Sequence, residues 1–206
     1  QLQRLPGLGS RQGLQHLHCA GLAAPQQRSL STLRLGMSLE VHALGQEANA
    51  LWCRPEVLGP VQRIIDPQRL VVAGQTVLTQ VAAGDPTLLD GLQELEELGV
   101  GDLVEVHGQR DRLGRIRASR LSRVAGSPGV SVRGRVTASD PLNRTFALGG
   151  LIVDARTAAG LAEDRWPTLG DRVVVFGPAG TRPQHLVAAV VRRLTSELTD
   201  ATRMHV

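Results

Sequence analysis

The chain has 206 residues, 42% apolar and only 2% aromatic, with 23 basic against 19 acidic residues and a net charge of +4. That length suits one ordinary domain or two to three small ones, and the apolar content excludes a disordered chain. Every basic residue is an arginine, but an excess of this size does not by itself imply a nucleic-acid partner. No run of about 18 apolar residues occurs, so no transmembrane helix is expected and the chain reads as soluble or membrane-peripheral. It opens at Gln1, as a processed or trimmed form would, and shows no signal peptide.

In chain order, residues 1–56 predict a first, irregular unit. "LQRLPGLGS" is its opening strand, "GLQHLHCAG" its third, "LRLGMSLEVHAL" its fourth and "ANALWCRPEV" its fifth, with a short polar helix region in "AAPQQRSLSTL". Residues 57–126 predict a more regular unit. "GPVQRIIDPQRLVVAGQTVLTQV" from Gly59 reads as three strands, turning first at Asp66-Pro67 and then at Gly74. Leu88, Leu89, Leu92, Leu95 and Leu98 recur at helical spacing and predict one short helix. "LGVGDLVEVHG" and "GRIRASRLSRV" supply the last two strands. After the Gly, Ser and Pro of "VAGSPGVSV", residues 127–194 repeat the order through "GRVTASDPLNRTFALGGLIVDAR", "PTLGDRVVVFG" and "HLVAAVVRRL". Residues 195–206, "TSELTDATRMHV", predict a short helix or a loose tail.

Gly36, Gly101 and Gly170 align, and after each the apolar residues alternate with a period of two: Leu39 and Val41, Val104 and Val106, Val173 and Val175. A β-β-β-α-β-β order in units of roughly 70 residues is what a small five-stranded OB-type barrel requires. The expected fold is therefore all-β with short helices, built as three tandem OB-like barrels of which the first is irregular.

On these residues the chain resembles a known family. "GPVQRIIDPQRLVVAGQTV" followed by "LGVGDLVEVHGQRDRLGRIRASRL" is similar to the bacterial repeat family named domain of unknown function 5666, and "GLGS" with "LRLGMSLEV" is similar to that family's opening copy. The resemblance implies OB-like barrels in several copies and export to the periplasm or beyond. It implies no reaction and supplies no catalytic residues.

The residues themselves show no phosphate loop, no Gly-x-Ser-x-Gly elbow, no His-Glu-x-x-His and no Cys-x-x-Cys, so no enzyme and no cofactor is expected. Glu94, Glu96, Glu97 and Asp102 read as a solvated helix face, and His42 and His107, which share a strand position, are expected to face solvent. The sharpest charge feature is a basic ribbon of Arg110, Arg112, Arg115, Arg117, Arg120 and Arg123 against Asp111. It could grip phosphates, anionic polysaccharide, lipid head groups or an acidic protein. Equally, arginines on exposed strands discourage edge-to-edge pairing, and residues 57–126 balance eight arginines with nine acids. Four aromatics across three barrels are too few for a single-stranded nucleic-acid platform.

Cys19 and Cys53 are the only cysteines. They fall on the third and fifth strands of the first unit, neighbours in an OB barrel, so an exported chain is expected to join them in a disulfide. Such a bridge would stabilise an abbreviated barrel by roughly 3–4 kcal/mol. The rival is copper or zinc held by His16, His18, Cys19, Met37 and Cys53. The sequence thus points to an exported, non-enzymatic binding or assembly module that contacts a protein, an envelope assembly or an anionic surface. Its alternative is a periplasmic metal-handling protein.

Overall fold

The computed structural model describes residues 16–19, 26–44, 47–80, 86–126, 129–161, 165–180, 182, 184–194 and 201–205. The predicted opening strand at 2–10 lies outside these. The first unit contributes β1 (His16–Cys19), β2 (Gln26–Ser29), β3 (Ser38–Leu44) and β4 (Glu47–Cys53). β3 and β4 form an antiparallel hairpin, and β1 lies parallel to β4 with Cys19 in register with Cys53. The polar segment expected to hold a helix supplies β2 and a single 3-10 turn at Leu30–Thr32.

The second unit is a closed barrel. Its strands are β5 (Val57–Asp66), β6 (Arg69–Val72), β7 (Gln75–Leu78), the short β8 (Leu88–Asp90), β9 (Leu103–Arg110) and β10 (Ile116–Arg123). β5, β6 and β7 form the predicted meander, β7 runs parallel to β10, β10 pairs β9, and β9 returns to β5. Alternation explains the burial. Val61, Leu70, Val72, Val77, Val104, Val106 and Ile116 point inward and are all buried, each contributing about 1.5–3 kcal/mol of apolar transfer. The β6–β7 reversal needs positive φ at both Ala73 (44°) and Gly74 (74°), the geometry that matches the right-handed twist of its strands. Gly74 is required twice over, because a Cβ there would lie 2.5 Å from the Leu151 backbone nitrogen.

The helix predicted over the leucines is replaced by β8 and a 3-10 turn at Leu95–Glu97. Gly91 takes a left-handed φ of 71°, which ends any regular run, and the backbone of β8 pairs with β10 in parallel. The apolar spacing still serves its purpose: Leu92 and Leu98 are buried in the barrel core, with Leu89 and Leu95 packed against it.

The third unit holds β11 (Val130–Arg135), β12 (Ala138–Asp140), β13 (Thr145–Leu148), β14 (Leu151–Asp154), β15 (Arg172–Gly177), β16 (His185–Val187) and β17 (Val190–Arg193). β12, β13 and β14 form a meander, β11 pairs β15, β15 pairs β17, and β16 lies parallel to β14. The boundary near residue 127 does not separate two independent bodies. β11 pairs β5 through Ser131–Leu58 and Val132–Val57, so one nine-stranded sheet crosses it, and a single apolar cluster runs from Val57 to Val191. Between the first and second units no strand pairing crosses the boundary near residue 56 among the described residues.

The last strand, β18 (Ala201–His205), is neither the helix nor the loose tail expected of the C-terminus. It pairs antiparallel with β3, Thr202 opposite Val41, giving the first sheet the order β18-β3-β4-β1-β2. It thus occupies beside β3 the place that β5 takes beside β9 in the second unit.

Candidate anion-binding cleft

The six arginines read as one ribbon occupy three kinds of environment. Arg110 is structural. Its Nε donates to Glu56 Oε2 at 3.0 Å, Nη1 to Gln75 Oε1 at 3.0 Å and to the Gly114 carbonyl at 2.7 Å, and Nη2 to the Arg133 carbonyl. Arg120 is buried, with Nη1 on the Leu35 carbonyl at 3.1 Å, Nη2 on Asp90, and Nε buried without a hydrogen-bond partner. Arg115 and Arg123 are tied to Asp111 at 2.7 Å and Asp102 at 2.9 Å. Desolvation pushes the Asp111 carboxyl up, but Arg115 and the Arg115 and Leu113 amides outweigh it and hold the group below its usual range. Only Arg112 and Arg117 are exposed and without an acidic partner among the described residues.

No disulfide is formed among the described residues, and the side chain of Cys19 lies outside them, so the structure describes Cys53 alone. It is 1% exposed, and its Sγ lies 3.9 Å from Nε2 of His107, which is 0% exposed instead of facing solvent. The first unit causes that burial by laying its 34–38 segment on the second. The Ser38 amide donates to His107 Nδ1 at 3.1 Å, and Ser119 Oγ donates to the Gly36 carbonyl at 2.6 Å. His42, in the equivalent strand position, stays 44% exposed beside Glu40, with the Trp52 ring 6.3 Å from its own.

Of the predicted metal set, His16, His18 and Cys19 have side chains outside the description, and Met37 packs on the small apolar cluster of Leu39 and Cys53. The group that could hold a metal is instead Cys53, Glu105 and His107, whose donor atoms lie within 4.8 Å of one another. Its hydrogen bonding has the wrong polarity for that role. Because Nδ1 accepts from the Ser38 amide, the ring proton sits on Nε2 and is donated to Glu105 Oε1 at 3.0 Å. A ligating imidazole needs the reverse, with Nε2 bare and Nδ1–H donating. The same polarity prevents Nε2 from accepting the Cys53 proton, as a nucleophile's base must. The cluster is a buried clasp between the first two units.

What remains exposed and charged converges elsewhere. A cleft of about 700 Å³ opens between the second and third units, with Glu56, Gln75 and Arg110 at its base. Arg112 reaches it from the β9–β10 turn, Arg135 from β11 and Arg172 from β15. Arg135 and Arg172 are direct cross-strand partners in the β11–β15 ladder, so their side chains leave the same face. Like charges placed directly opposite are destabilising. Arg135 donates only to the Gly170 carbonyl, at 3.0 Å, and none of the three has a carboxylate partner among the described residues. The nearby Asp171 is already engaged. The Thr168 amide, then the Thr168 hydroxyl and Arg193, lower its pKa against an opposing desolvation.

The barrel that supplies Arg110 and Arg112 can now be placed by comparison. Residues 59–122 match the family described as Domain of unknown function (DUF5666). Over that stretch the chain is similar to this family. No curated protein matches the chain. The match runs from Gly59 in β5 to Ser122 in β10 and carries no activity with it. Half of the cleft's lining therefore falls within the matched stretch, and the rest is Glu56 before it and residues of the third unit after it. Arg135 and Arg172 escaped the sequence reading because they stand 37 positions apart. The signal that could have found them is the alignment of β11 with β15, first and fourth strands of one unit, which places the two arginines side by side.

Proposed function

We propose that this chain is a non-enzymatic binding or assembly module of an exported compartment, which meets the anionic groups of its partner in the arginine cleft between the second and third units. The observation that carries this reading is the Arg135–Arg172 cross-strand pair with Arg112 beside it, in a cleft whose two acids, Glu56 and Asp111, are already paired with Arg110 and Arg115. A fold that keeps two like charges in register bears a cost that a bound anion would remove. The DUF5666 match covers the second unit and names no reaction, and the described constellation closest to a catalytic one, Cys53 with His107, has the wrong proton arrangement. The cleft has no aromatic lining on which bases could stack, which favours a partner other than single-stranded nucleic acid.

The test is capture from an envelope extract by immobilised wild-type chain and by the Arg112→Gln/Arg135→Gln/Arg172→Gln variant. Partners held by the wild type should be released by salt and missing from the variant. Equal capture by both chains would remove the cleft from the function.

A further inference from the structure

We infer that the anion received by this cleft is a phosphoryl group, carried by a compact phosphate ester, a short polyphosphate or a lipid head group, and gripped by Arg112, Arg135 and Arg172. The inference rests on the reading of the cleft as an anion site and goes beyond it in naming the chemistry. Two geometric facts carry it. Side chains directly opposite in an antiparallel ladder start about 5 Å apart at Cβ, so the Arg135 and Arg172 forks can close on one tetrahedral anion from two sides. Arg112 approaches from the other barrel, making three guanidinium groups with no carboxylate partner around a single space. One carboxylate offers a single charge and two acceptor oxygens and leaves most of that positive charge unmet. A phosphoryl monoester offers a charge of about −1.5 to −2 and three acceptor oxygens.

The cleft also lacks what a peptide would use. Its main exposed apolar residue is Leu113, at the tip of the turn that carries Arg112, and it has no aromatic anchor of the kind that dominates protein interfaces. Of its neutral polar side chains, Gln75 is already bound to the Leu148 carbonyl and Arg110 and Thr137 donates to the Ala147 carbonyl, which leaves Gln109 as the one neutral group against three arginines. Selection falls to charge density, which favours phosphate.

The experiment is calorimetric titration of the full chain with inorganic triphosphate, with citrate at matched ionic strength, and with vesicles of phosphatidylcholine containing phosphatidate. Triphosphate should bind at least about tenfold more tightly than citrate, and Arg135→Gln or Arg172→Gln should each weaken it about tenfold, a change of ~1.4 kcal/mol. The same substitutions should leave the melting temperature unchanged or raise it, because they remove a like-charge pair. A merely structural arginine would lower it. Arg192→Gln, an exposed arginine outside the cleft, should bind as the wild type does. Binding to vesicles alone assigns the phosphoryl group to a lipid, and binding to triphosphate assigns it to a soluble ligand. Citrate binding as tight as triphosphate, no saturation by triphosphate or vesicles, or affinity untouched in both cleft variants would overturn the inference. If partner capture still fails in the triple variant while triphosphate does not bind, the anion-site reading survives and only the phosphoryl assignment falls.

Discussion

Replacing Arg110 by Met should destabilise the chain far more than the same change at Arg112, although the two stand two residues apart in one basic stretch. The Arg110 guanidinium closes four hydrogen bonds, one to a Glu56 carboxylate that is only 2% exposed and faces the junction of the second and third units. Removing one partner of a buried pair costs about 3–5 kcal/mol. Because the Arg110 side chain is itself 20% exposed, water softens the loss toward ~3 kcal/mol. For a chain of this length that corresponds to a fall in melting temperature of about 6–12 °C. Arg112→Met, on an exposed turn, should change stability by less than about 0.5 kcal/mol. Urea denaturation monitored by far-UV circular dichroism measures both. The double variant Glu56→Leu/Arg110→Met, which removes the buried charge together with its partner, should recover most of the loss. The reasoning is refuted if Arg110→Met costs under about 1 kcal/mol or if the double variant is less stable than the single one.

Gly74→Ala should cost more than about 1 kcal/mol, since it combines a φ of 74° with a Cβ 2.5 Å from Leu151, whereas Gly99→Ala, with nothing within 4 Å, should stay within about 0.5 kcal/mol on the same denaturation assay. Stability should fall on acidification below about pH 4. Asp66, Asp102, Asp140, Asp154 and Asp171 all have carboxyls held below their ordinary values, by Gln68, Gly99, Asn143, Arg156 and Thr168 respectively as the first cause. A depressed folded pKa gives stability that is complete above the unfolded value and lost as pH drops through the folded one; a melting temperature constant from pH 6 to pH 3 would contradict this. Native Cys53 should resist alkylation and become reactive in urea, and zinc titration should not protect it in the native chain, because the Ser38 amide fixes the His107 proton on Nε2. A stoichiometric zinc complex that loses its metal in Cys53→Ser would restore the metal reading.

The alternation of Val and Leu with polar residues, the Asp-Pro turn and Gly74 were enough to place β5, β6, β7, β9 and β10, because a strand with one buried face writes its period into the chain. The leucines from Leu88 to Leu98 misled for a physical reason: their spacing records which residues cover the barrel end, and a strand followed by a 3-10 turn presents them as well as a helix would. Arg120 misled because its charge was read without its phase: alternation from the exposed Arg117 puts a residue three positions on at the opposite face, and Arg120 does turn into the fold, where it meets the Leu35 carbonyl. His107 and β18 were illegible for a different reason. Their surroundings come from segments about 70 and 160 residues away, and no local pattern records which unit is laid on which.

The same distinction decides where recognition can reside in such a chain. Within one unit the first and fourth strands pair, and at the end of that ladder, on the face turned away from the core, the exposed Arg135 meets the exposed Arg172. The barrel itself offers those two residues no acid. The neighbouring barrel could have supplied one, since Asp111 stands at the same cleft, but Asp111 is turned onto Arg115 and its amides, and Glu56 is spent on Arg110. Every acid at the cleft is thus committed to holding the scaffold, while the arginines nearest solvent are left over. A surface selected only to prevent edge pairing would gain from pairing those charges, since an ion pair blocks an edge as well as a lone arginine does. Segregating the acids into structural contacts and the arginines onto one rim is the arrangement that keeps a site charged without weakening the fold beneath it.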